Sequence, residues 1–145
     1  MTKHKLEWIT AVDRATAKAG VSCPAPYVVI SIRDPGTRRI SFGNRVGLRD
    51  VLFTAFHDAE PVSGRKLPGE IRQFTRRQAH RIAKFVWNYR SQVRSIVCHC
   101  EQGMSRSPAL AISEVLGIKP RADLKWTQPN PYVYELVRRA LIVMS

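Results

Sequence analysis

Apolar residues along this chain recur with two different periods, and the way the periods alternate predicts the elements. Leu6 to Val12 reads as a strand, after which Asp13 can cap a short helix that ends at Gly20. Cys23-Pro-Ala-Pro26 is a connector into Tyr27 to Ile32, an apolar, β-branched run of the kind found in buried strands. Asp34-Pro-Gly36 marks a turn. A weaker strand is expected at Arg39 to Phe42 and a better one at Asp50 to Phe56, with a long loop from His57 to Gly69. Glu70 to Arg90 is expected to be the longest helix, because Ile71, Phe74, Ile82, Phe85 and Tyr89 form an apolar stripe at helical spacing. Ser95 to His99 then makes a short buried strand and Arg106 to Leu116 an apolar helix stopped by Gly117 and Pro120. Asn130-Pro131 can cap and open a last helix through Val143. Strands alternating with helices predict a single α/β domain over residues 1–145. Its core is expected to be a central, mostly parallel twisted sheet of about four to five strands flanked by helices.

Composition changes this picture little. At 145 residues the chain fits one domain of roughly 100–200 residues. Its 44% hydrophobic content suffices for a core, which argues against a wholly disordered chain. No apolar run approaches the roughly 18–20 residues of a membrane span. Lys3 and Lys5 precede a short apolar stretch interrupted by Asp13, so no signal peptide is expected. Three cysteines make a disulfide framework improbable and point to a reducing cytoplasm.

Charge changes it more. Lysine and arginine total 24 against 11 acids, a net charge of +13. Such an excess attracts anions: phosphorylated substrates, nucleic acid or a membrane surface. On the long helix Arg72, Arg76, His80 and Lys84 fall at four-residue steps, with Arg77 and Arg81 beside them. This face reads either as a solvated surface or as a docking site for RNA, an acidic protein or anionic lipid.

The candidate chemistry lies in Val97 to Pro108, where a strand gives way to a helix. Cys100 begins the turn between them and Arg106 opens the helix. Main-chain N–H groups in such a turn, together with the helix N-terminus, form an anion nest. A thiol at its base loses its proton readily, since amides, dipole and Arg106 all favour the thiolate. Arg106 can grip two phosphate oxygens at once, and Gly103 lets the loop backbone approach the anion closely. A metal site built from Cys98, His99 and Cys100 is disfavoured, because their spacing is not that of zinc motifs.

His99-Cys100-x-x-Gly103-x-x-Arg106-Ser107 resembles the signature of the cysteine-dependent protein tyrosine phosphatases, and the short chain is most similar to their compact dual-specificity-like branch of bacterial or phage type. Val28 to Pro35, Val51 to Pro61 and Pro129-Asn130 also resemble that group. The resemblance implies Cys100 as nucleophile, with Arg106 and the amides of Glu101, Gln102, Gly103, Met104 and Ser105 holding the phosphate. It further implies that Ser107 donates to the sulfur and that His99 orients Cys100 from behind the loop. No cofactor or metal is needed on this scheme. A general acid must protonate the leaving oxygen. Asp58, after a strand end, stands where the family places one, with His57, Glu60 and Asp50 as weaker candidates.

The expected activity is hydrolysis of phosphotyrosine, with phosphoserine and phosphothreonine as further substrates, by a cytoplasmic monomer. Lysines typical of the phosphoinositide enzymes are absent from the loop, which counts against a lipid head group. Two alternatives remain open: an RNA 5′-phosphatase using the same loop, and a phosphate-binding module without turnover.

Overall fold

A computed structural model describes residues 3–42, 46–57, 72–100, 106–119 and 130–145. Within them the chain runs β1 (Trp8–Asp13), α1 (Arg14–Ala19), β2 (Tyr27–Arg33), β3 (Leu48–Ala55), α2 (Arg76–Tyr89), β4 (Ser95–Cys100), α3 (Arg106–Leu116) and α4 (Pro131–Val143). The strands form one sheet in the order β1-β4-β2-β3, and every pairing is parallel. The expected α/β architecture is therefore present, as a wholly parallel sheet.

Position in the sheet follows from composition. β2 and β4 are central; every residue of β4 is buried, as are all but Arg33 of β2. Such strands lie between two covered faces and carry near-continuous apolar runs. On one face Ile9, Val28, Ile30, Ile32, Ile96, Cys98 and Cys100 pack against α2, α3 and α4 in the main core. On the other, Val29 and Val97 meet Ala17 of α1 and the side chains of Ile40 and Phe42. Arg39 to Phe42 thus covers the sheet without pairing to it, and the strand expected there is absent. Two apolar residues at alternate positions meet their need for burial here without a ladder.

Local signals set most boundaries. Asp13 ends β1 and caps α1, its carboxylate accepting from the Thr16 N–H at 2.8 Å. That bond, chiefly, holds its carboxyl below the usual range. At the turn after β2 the Thr37 N–H donates to the Asp34 carbonyl at 3.2 Å, with Gly36 at φ 86°. Pro and then Gly in the two central positions match a type II turn. Gly117, at φ 69°, ends α3 as expected.

One boundary departs clearly from expectation: α2 starts at Arg76, not Glu70. Thr75 supplies a capping box with Gln78, and the backbone of Arg72 is committed elsewhere. The His57 N–H donates to the Arg72 carbonyl at 2.7 Å, and the Arg72 N–H donates to His57 Nδ1 at 2.8 Å. Past His57, the expected loop to Gly69 lies outside the described residues, as do Glu70, Ile71 and Pro120.

Candidate active site at the carboxyl end of the central strand

Because every strand runs the same way, the carboxyl ends of all four lie along one edge. The chain leaves β4 toward the three-helix face, into α3. It leaves the neighbours β1 and β2 toward the opposite face, into α1 and the segment bearing Ile40 and Phe42. Crevices open where adjacent connections part in this way, and ligands of parallel α/β sheets bind there. Cys100 is the last residue of β4, only 1% exposed, on the three-helix side. The expected nucleophile therefore stands where the topology alone would put a ligand.

Two helix N-termini are joined at this edge. Arg106 is the first residue of α3 and Ser107, buried, the second. The Asn130 N–H donates to Ser107 Oγ at 2.7 Å, and Asn130 is the N-cap of α4, its side chain accepting from the Tyr132 and Val133 N–H groups. Each helix start carries a partial positive charge of about half a unit, although at α4 the first N–H groups are already taken by Ser107 and Asn130. Together they make this end of the sheet attractive to anions without a formal cation. Ser107 Oγ accepts from α4, and a hydroxyl that accepts can still donate its own proton.

His99 faces the other way. Successive strand side chains alternate between faces, so its ring lies opposite the Cys100 thiol, buried beside Phe42 at 6.1 Å between ring centroids. Its Nε2 hydrogen-bonds Ser31 Oγ at 2.6 Å; the two residues are register partners across β2 and β4. Ser31 was not singled out by sequence. Its signal is a polar side chain in an otherwise apolar run, meaningful only once the register is known.

The other cysteines are chemically separate. Burial, and after it the charge of Cys100, pushes the Cys98 thiol well above its ordinary range, so it stays neutral. Burial raises the pKa of Cys23, which lies beside Ser95 at the start of β4. Cys100 ends the same strand, about 16 Å away at ~3.3 Å per residue, well beyond the roughly 7 Å limit for a disulfide. Alternation also separates His99 from Cys98 and Cys100. Among the described residues no three His, Cys, Asp or Glu side chains gather as metal ligands.

Asp50 is near the amino end of β3, where it accepts from the Tyr89 hydroxyl at 2.6 Å, at the sheet edge opposite Cys100. His57, next to Asp58 in sequence, is at the carboxyl end of β3. Asp58 and Glu60 lie outside the described residues, as do Glu101, Gln102, Gly103, Met104, Ser105 and the side chain of Arg106. Among the described residues no helix is long and apolar enough to cross a membrane. Compared with known protein families, curated proteins and solved structures, the chain matches none.

Proposed function

We propose that this protein is a metal-independent cysteine phosphatase, acting in the cytoplasm as a monomer on phosphotyrosine and also on phosphoserine and phosphothreonine. The observation that carries this reading is the position of Cys100. It ends a central strand, buried, at the edge where the N-termini of α3 and α4 are joined through Ser107 and Asn130. An odd and sparse set of three cysteines agrees with a reducing compartment.

The chemistry runs in two displacements. The Cys100 thiolate attacks phosphorus and the phosphate–oxygen ester bond breaks, giving phosphocysteine and an alcohol or phenol protonated by Asp58. Arg106 and the amides of residues 101–106 bind the non-bridging oxygens, most tightly as charge spreads in the transition state. Water, deprotonated by Asp58, then attacks phosphorus. The sulfur leaves as thiolate with the Ser107 hydroxyl donating to it, and inorganic phosphate departs.

The test is turnover of p-nitrophenyl phosphate with and without vanadate, for the wild type and for Cys100→Ser. Vanadate-sensitive hydrolysis, lost in the variant while vanadate still binds, is the expected result. Binding without turnover in the folded wild type would leave a phosphate-binding module. Asp58→Ala should slow a poor leaving group far more than p-nitrophenolate, which hardly needs a proton. The net charge of +13 favours one other substrate class, 5′-phosphorylated RNA. Initial rates on phosphotyrosine peptide, phosphoserine peptide and 5′-triphosphorylated RNA rank these substrates.

A further inference from the structure

α2 and α4 do not close fully against each other along their outer faces. Between them lies an open cleft of about 230 Å³, with Leu136, Ala140 and Val143 among its apolar lining and Arg76, His80 and Arg139 among its polar lining. Its end is unusually apolar for a surface, Val143 being 82% exposed and the adjacent Ile142 47%. α2 contributes Arg76, Arg77, Arg81 and Lys84 and no carboxylate. The one carboxylate on α4, Glu135, is already engaged by Arg138 and Arg139. The cleft therefore combines an apolar lining with a rim that stays net positive, because the single carboxylate of the two helices, Glu135, is shared between Arg138 and Arg139 and leaves Arg76 without one.

We propose that this cleft docks an acidic segment of a partner protein, with an aliphatic side chain of that segment seated on Leu136, Ala140 and Val143. The charge complement must be negative, since the two helices supply one carboxylate against the arginines of the rim. The anchor must be small, because cofactor and drug-sized sites run to roughly 300–1,000 Å³. Single-stranded RNA is the poorer fit: its recognition relies on aromatic platforms, and none lines this cleft among the described residues. A bilayer is flat and does not follow a groove between two helices. An acidic amphipathic helix laid in the groove meets both requirements. The proposal stands apart from hydrolysis, since docking needs neither Cys100 nor turnover.

The experiment is fluorescence anisotropy with a labelled glutamate-rich peptide carrying a central leucine, titrated with the full chain. Arg76→Glu with Arg139→Gln should weaken binding about tenfold. Glutamate at the first position of α2 suits the helix dipole, so the fold should persist, which circular dichroism checks. Val143→Ser changes no charge at an exposed position and should weaken binding severalfold, as should replacing the peptide's leucine with asparagine. Lys18→Glu with Lys119→Gln alters the net charge equally but elsewhere, and should leave binding within twofold. Equal weakening by that control pair would reduce the effect to overall charge and overturn the proposal. So would indifference to Val143 and to the leucine. Tighter binding of single-stranded RNA or phosphatidylserine vesicles, dependent on Arg76 and Arg139, would assign the surface to those ligands instead.

Discussion

Ser107 does two jobs that mutation can separate. Its hydroxyl satisfies the Asn130 N–H at the start of α4, and in the proposed reaction it also donates a hydrogen bond to the departing thiolate. Ser107→Ala leaves a partly buried donor without its partner, a loss of about 1–3 kcal/mol, read as a lower urea midpoint. If phosphocysteine forms, the same variant should show a burst of p-nitrophenol followed by slow turnover. Cys100 and Arg106 were legible as candidates because the motif joining them is local in sequence. The partners that hold the neighbouring side chains were not. Ser31 is 68 residues from His99 and Asn130 is 23 from Ser107, so only the fold brings each pair within bonding distance.

Helix starts show which local signals decide. α4 begins at Pro131 and α3 runs from Arg106 to Leu116 as read from sequence, because caps and stops at those places have no competitor. For α2 the apolar spacing extends upstream of Thr75, yet the helix does not, since Arg72 bonds His57 and Thr75 offers a cap. Gln78 then ties this helix to the sheet: its Oε1 accepts from the Thr75 N–H, while its Nε2 donates to Thr54 Oγ1 at 3.1 Å and the Ala55 carbonyl at 2.8 Å. Gln78→Glu keeps the acceptor but sets a carboxylate oxygen against that carbonyl. It should cost about 1–3 kcal/mol in urea unfolding despite the favourable charge at a helix start. At the other end of the helix, the Asp50 hydrogen bond, then burial and then the Asp50 charge push the Tyr89 hydroxyl up to about 12. The fold thus favours protonated Tyr89. Its contribution is complete below pH 10 and fades as pH climbs from 10 toward 12. Unfolding midpoints of the wild type should fall across that window relative to Tyr89→Phe.

The molecule as a whole owes its shape to crossovers. An α/β class was legible from alternating periods. The strand order was not, because each strand would bury its apolar residues equally well beside several neighbours. In the order adopted, β1 pairs with β4 alone among the described strands, Trp8 lying opposite Ser95 and Asp13 opposite Cys100. β4 also separates β1 from β2. Synthesis on the ribosome proceeds from the first strand to the fourth, so β1 emerges long before the strand that must shelter it. Until Cys100 has cleared the exit tunnel, β2 and β3 have each other while Ile9 and Ala11 have no sheet to join. Long-range parallel pairing of this kind is slow, and waiting apolar strands expose the chain to aggregation. Production of soluble protein should accordingly respond to chaperone supply and growth temperature more than to codon choice in the last helix.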